Sequence, residues 1–293
     1  MAHDHHHHHH APEGNLRMAF FLNLFFTIIE IIGGLAVNSV AIVSDAIHDL
    51  GDSLSLGTAW YLQRKSKQQA DKQFSFGYAR FSLLGALLNS VVLIIGSVFV
   101  IKEAVERLIQ PEASDANGMF YLAILGIAVN GYAAWKMTSG KSLNEKVISW
   151  HLMEDVLGWA AVLIVAIVLQ FKQIDYLDPA LSLAITLYIL YGVFKRLKET
   201  LFLFLQGVPA EFDLKKLEAE LLAVNGVEAL HHTHIWSLEG EHHVFSSHVR
   251  LKGIQDLAQM EQVKLDLKKQ LAAYHFNHIT LELETEWQEC SMK

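Results

Sequence analysis

Apolar residues are not scattered along the chain but gathered into six runs: 16–37, 39–62, 81–106, 119–139, 147–171 and 178–205. Each is long enough to cross a hydrocarbon core, which takes about 20 residues of helix. Only Asn38 separates the first two runs, so they are expected to form a tight helical hairpin around "VNS". After "LQGVP" at 205–209 the continuous runs give way to mixed polarity. There "AEFDLKKLEAELLAVNG" has helical spacing, with Leu214, Leu217, Leu221 and Leu222 on one face and Gly226 as a stop. "VEALHHTHIWSL" and "HHVFSSHVRL" flank "EGE" and predict a hairpin; 256–274 predicts a second amphipathic helix, and "HFNHITLELETE" a last strand. The pattern therefore predicts a polytopic α-helical membrane protein with six transmembrane helices, followed by a small α+β domain of ferredoxin-like αββαβ order with its helices on one face of the sheet. The expected divisions are a His-rich tail at 1–15, a six-helix domain at 16–207 and the α+β domain at 208–293.

Composition agrees with a membrane class: 52% of the 293 residues are hydrophobic and only 18% charged. Loop charge then orients the spans. The loop at 63–80 holds Arg64, Lys65, Lys67, Lys72 and Arg80, whereas the next has Arg107 alone. Positive charge marks the first as cytoplasmic, and Lys136, Lys141, Lys146, Lys195, Arg196 and Lys198 fall on the same side, with both termini. A net charge of −8 argues against a nucleic-acid partner. The lone cysteine, Cys290, forms neither an internal disulfide nor a thiolate cluster, so metal chemistry here would use His, Asp and Glu. "MAHDHHHHHH" has no apolar core of a signal peptide and reads either as an affinity tag or as a native metal-collecting tail.

The second run, for all its length, contains Asp45, His48, Asp49 and Asp52. Ionisable residues at membrane depth are costly and mark ion pathways. His48 and Asp52, four apart, share one helical face, and Asp45 joins that stripe; Asp49 lies about 100° round. The fifth run repeats the device in "SWHLMEDVLGW", with His151 and Asp155 four apart and Glu154 off the face. Two imidazoles and two carboxylates can close a tetrahedral site suited to Zn2+. Such ligands bind metal only when deprotonated, so protons and metal compete for the same atoms and exchange is the expected outcome.

With the paired HxxxD motifs, "FGYAR" before the third span and "HTHIW" in the terminal domain, the sequence resembles the cation diffusion facilitator family of metal/proton antiporters over nearly its whole length. The resemblance implies export of divalent metal from the cytoplasm by a homodimer in the bacterial inner membrane. It implies a transport site at His48, Asp52, His151 and Asp155, and the His-plus-Asp version on the second span is similar to the zinc-preferring branch. Co2+, Ni2+, Fe2+ and Cd2+ are alternative substrates. The resemblance also implies a cytoplasmic metal site at His231, His248, Glu282 and Glu284, in a terminal domain that binds metal and dimerises.

Other polar residues carry less. Asp45 is a candidate accessory ligand or a helix-bonding group, and Asn23, Asn89 and Asn130 read as interhelical hydrogen-bonding groups; Glu30 seldom serves packing alone. Strand alternation puts His232 and His234 on one face and His231 on the other. Phe74, Phe76 and Tyr78 read as an interfacial belt with Arg80. A membrane metalloenzyme would want an open metal position and a base, often as HExxH, which does not occur. A sensor anchored by its spans would not need four ligands at membrane depth.

Overall fold

A computed structural model describes residues 13–66, 70–138 and 143–285, with side chains at 13–19, 56, 59, 60, 62–66, 136–138 and 143–151 not described. Six long helices come first: α1 (Glu13–Ala36), α2 (Val40–Ser66), α3 (Phe81–Ile109), α4 (Ala116–Thr138), α5 (Leu143–Phe171) and α6 (Leu177–Phe204). By length and apolarity, α3, α6, Ala116–Trp135 of α4 and Leu152–Phe171 of α5 qualify as membrane spans, and α1 supplies the shorter apolar run Phe20–Ala36. α2 does not meet that measure, because Asp45, Asp49 and Asp52 punctuate it. The chain divides into two compact units, Met1–Gln68 with Leu84–Leu197, and Gln69–Leu83 with Lys198–Lys293.

In the first unit α1 packs on α2, α4 on α5, and α1 and α2 reach α4 and α5. The expected "VNS" turn is present: Asn38 takes the left-handed conformation (φ 56°) that asparagine tolerates. Arg107 and Ser114 both donate to the Asn38 carbonyl, at 2.8 and 3.0 Å. Close approach of α4 and α5 depends on Gly126, where a Cβ would stand 2.2 Å from the Trp159 ring.

A polar seam joins α2 to α6. Asp178, Ser182 and Thr186, spaced by four, form one buried stripe of α6. Asp178 accepts from Ser39 Oγ at 2.6 Å and from the amides of Val40 (2.7 Å) and Ala41 (3.4 Å), capping α2 from outside its own chain segment. Ser182 Oγ donates to the Val40 carbonyl at 3.2 Å, and the Ser44 and Thr186 hydroxyls bond at 2.8 Å. Asn23 Nδ2 donates to the Asp49 carbonyl and Ser53 Oγ, and Asn89 Nδ2 to Ser55 Oγ, the interhelical bonding expected of both.

The second unit has the αββαβ order: α7 (Leu214–Leu222), β1 (Val227–Ser237), β2 (His243–Leu251), α8 (Leu257–Leu271) and β3 (His278–Glu284). Strand order is β1-β2-β3, antiparallel then parallel. Asp213 and Asp256 cap α7 and α8 through Lys216 N and Gln259 N. Leu217, Leu221, Val263, Leu267 and Leu271 bury one helical layer against Ile235, Phe245, Val249 and Leu251 of the sheet. Leu222 is 44% exposed rather than on the buried stripe, because it lies about 100° round α7 from Leu221.

The opposite face of the sheet receives the loop before α3. Asp71 accepts from the amides of Gln73 and Phe74 and from the Tyr78 hydroxyl at 2.6 Å. The Tyr78 bond, followed by the two amides, holds the Asp71 carboxyl below its ordinary range. Phe76 sets its ring 5.4 Å from His278 and 6.5 Å from Trp236. Phe76 thus sets its ring edge-on to the sheet while staying half exposed.

Candidate metal centres

The helical spacing on α2 has the expected local result. His48 Nε2 and Asp52 Oδ2 approach to 3.5 Å across one turn, both mostly shielded from solvent. On α5, Asp155 is buried, and Asp45 of α2 points at that helix: its Oδ1 lies 3.6 Å from where a Cβ on Gly158 would stand. Gly158 is three residues after Asp155, on the same face, so Asp45 and Asp155 occupy one neighbourhood. The side chain of His151 lies outside the described residues, although α5 carries its backbone. Glu154 is exposed and 3.5 Å from the Tyr188 hydroxyl, off the face of Asp155. Asp49 is turned toward α1, where its backbone carbonyl receives Asn23 and its carboxylate meets that of Glu30.

In the second unit, register aligns His231 with His248 across β1 and β2, and His248 with Glu282 across β2 and β3. Glu284, two residues on, shares their face. Glu284 Oε2 is 3.0 Å from His231 Nε2, and its Oε1 is 2.9 Å from His248 Nδ1. Ligand atoms of His231, His248 and Glu284 all lie within 4.8 Å of one another. Around a tetrahedral Zn2+ bonded at about 2.0–2.1 Å, neighbouring ligand atoms stand about 3.3 Å apart. Glu282 is half-exposed and faces the other ring nitrogen, 3.4 Å from His248 Nε2. That is the place of a carboxylate that orients a liganding imidazole.

Alternation fails at His232. The β1–β2 register shifts between His231 and His234, and His232 sits at φ 50°. This bulge turns His232 to the side of His231: the His231, His232 and His248 rings form a triangle with centroids 5.3–5.4 Å apart. A bulge adds a residue to one strand and redirects a side chain, which period-two counting cannot anticipate. His232 therefore packs against His231 and His248 on the side from which alternation had removed it, outside the set of ligand atoms that His231, His248 and Glu284 form. Its only sequence signal was the doubled histidine in "HHTH".

Residues 16–205 match the family model described as the cation efflux transmembrane domain, and 209–286 the cation efflux protein cytoplasmic domain. The chain is 34% identical to the metal cation efflux system protein CzcD of Cupriavidus metallidurans, over 97% of this chain and 89% of that protein. It is 30% identical to a cadmium, cobalt and zinc/H(+)-K(+) antiporter of Bacillus velezensis (97% and 92%). With the zinc transporter ZitB of Escherichia coli the identity is 29% (99% and 94%). A solved metal-bound C-terminal domain of the CzcD transporter matches 25% of this chain and 99% of its own length at 32% identity, with a TM-score of 0.23.

Proposed function

Because the chain belongs to the cation diffusion facilitator family of cation efflux transporters, we propose that it exports Zn2+ from the cytoplasm in exchange for protons, using His48, Asp52, His151 and Asp155 as ligands. The observation that carries this reading is the approach of His48 and Asp52 on α2, with Asp45 of the same stripe packed against the Asp155 face of α5. Imidazole titrates near pH 6.5, so a site facing the cytoplasm exchanges protons for metal, and one facing outward meets protons that displace it. Two carboxylates offset the divalent charge during passage. Cadmium and cobalt, which stand in the name of the Bacillus relative, are further substrates within this chemistry. That name also adds potassium to the counter-ions, and we extend it to this chain.

The orientation that fits loop charge keeps both termini cytoplasmic, in the inner membrane. The terminal domain is read as the dimerising unit, and His231, His248 and Glu284 as ligands of a regulatory metal, with His232 packed beside the liganding rings and Glu282 orienting His248. Purified protein in vesicles with an internal pH dye tests transport: Zn2+ entry accompanied by proton exit is expected, and its loss in Asp52→Ala. Full Zn2+ flux in Asp52→Ala would remove the site assignment. In the intact protein, His232→Ala is expected to weaken regulatory Zn2+ binding about 10–100-fold while transport-site occupancy persists; unchanged affinity would exclude His232.

A further inference from the structure

We propose that the loop between α2 and α3 binds the phosphate of an anionic phospholipid headgroup, gripped by Arg80 and steered by Lys72. Arg80 is a cation without a counter-ion: its Nε and Nη2 are shielded from solvent and close no hydrogen bond among the described residues. These two nitrogens form the side-on edge of the guanidinium, the pair that donates in parallel to two oxygens of a carboxylate or phosphate. The loop's own acid is engaged elsewhere. Asp71 is the only carboxylate in 63–80, against five bases, Arg64, Lys65, Lys67, Lys72 and Arg80. One of its oxygens accepts from the amides of Gln73 and Phe74, both at 2.8 Å, and the other from the Tyr78 hydroxyl at 2.6 Å. The loop thus closes on its acid and leaves Arg80 unneutralised. Lys72, next to Asp71, is exposed.

A shielded cation with no partner is prohibitively costly, so the fold that keeps Arg80 there calls for an anion supplied from outside the chain. Position selects that anion. Arg80 stands immediately before Phe81, the first residue of a helix apolar enough to span a membrane. Around it are aromatic rings of the kind that settle at headgroup level: Phe74 lies 4.8 Å from Tyr78 and 5.3 Å from Phe81, and Phe74 and Phe76 are 39% and 48% exposed. About four to eight Lys and Arg immediately beside a span are the charge pattern that anionic headgroups of the cytoplasmic leaflet meet. A phosphodiester there presents two unesterified oxygens to the fork, while its acyl chains stay in the bilayer. Arg80 as a residue is part-exposed, which gives the phosphate its approach. A soluble phosphate would meet the same fork but gain nothing from the apolar surround, so lipid is the occupant. Phe76 of this loop meets Trp236 and His278 of the sheet, and a bound headgroup therefore stiffens a segment that the terminal domain touches.

Full-length protein in phosphatidylcholine nanodiscs containing increasing fractions of phosphatidylglycerol is unfolded thermally, and native mass spectrometry counts the phosphatidylglycerol retained. Nanodiscs offer lipid on both faces and neither readout needs metal flux, so the result stands apart from the orientation and transport readings. The midpoint should rise and saturate with phosphatidylglycerol. Arg80→Gln should weaken that binding about 10–100-fold, as expected for charge-assisted bonds from a shielded fork, and Lys72→Gln about fivefold, as for one surface charge. Arg80→Lys keeps the charge without the fork and should fall between the parent and Arg80→Gln; it serves if Arg80→Gln does not fold. Equal midpoints with and without phosphatidylglycerol would overturn the proposal. So would an Arg80→Gln protein whose midpoint is lower in every lipid but whose phosphatidylglycerol response is unchanged, or the same rise from inorganic phosphate in pure phosphatidylcholine.

Discussion

Replacing Asp178 by alanine should be among the most damaging single changes outside the metal ligands. Its carboxylate accepts at 2.6 Å from Ser39 Oγ and at 2.7 Å from the Val40 amide, with Ala41 N at 3.4 Å, all in a buried setting. Hydrogen bonds to a charged acceptor contribute about 1.5–3 kcal/mol each, and an amide left buried without a partner costs about 1–3 kcal/mol. Two short bonds at that rate give a loss of about 3–6 kcal/mol, the stranded Val40 amide being the other side of one of them, in line with breaking other buried charged contacts. Ser39→Ala removes one of those bonds and the Ser39 Oγ contact to the Ile42 amide, but leaves Asp178 on the backbone, so about 1.5–3 kcal/mol is expected. Thermal unfolding in detergent reads both, at roughly 2–4 °C per kcal/mol for chains of somewhat smaller size. Zn2+ affinity should fall in Asp178→Ala as well, because α2 carries His48 and Asp52. The reasoning fails if Asp178→Ala stays within about 0.5 kcal/mol of the parent, or if Ser39→Ala is equally damaging.

Gly126→Ala should destabilise the α4–α5 contact by about 1–3 kcal/mol, since the new methyl would lie 2.2 Å from an indole that has no free end to move; unaltered thermal unfolding and tryptophan emission would refute this. Tyr274 donates to Glu220 Oε2 at 2.6 Å, and that bond pushes its phenol up to about 12. A raised phenol contributes stability that is whole below its ordinary value near 10 and is lost as pH climbs through the folded value. Ultraviolet titration of tyrosinate should therefore show a late-ionising tyrosine that is lost in Tyr274→Phe, whereas Tyr78, raised by its own bond to Asp71, stays late in that variant; a titration unchanged by Tyr274→Phe would contradict the bond.

The six helices were legible because apolar length is a coarse signal that no neighbour can hide, and the helix–strand order of the terminal domain followed from periodicity. His48 and Asp52 were legible for a related reason: a spacing of four maps onto one face in any helix. Asp178 carried no such sign. Its partners are 138–139 residues away, and only packing of α6 against the start of α2 brings them together. His232 was misplaced because a bulge changes the count of residues per repeat, and the contacts of Phe76 were not legible because Trp236 and His278 lie far along the chain. Glu30 stood out as an acid in an apolar run, yet its facing carboxylate comes from a helix that sequence could not dock.

The three aspartates of α2 also bear on how the chain enters a bilayer. Each would oppose insertion of a lone helix by about 2.5–3.5 kcal/mol near the membrane centre, and together they outweigh the modest gain from its apolar residues. α1 brings the apolar run Phe20–Ala36 and the Asn23 bonds to Asp49 and Ser53, and the turn at Asn38 leaves no slack between the two helices. α2 therefore enters the translocon's lateral gate as the second arm of a preassembled pair, and the unit of insertion is the hairpin.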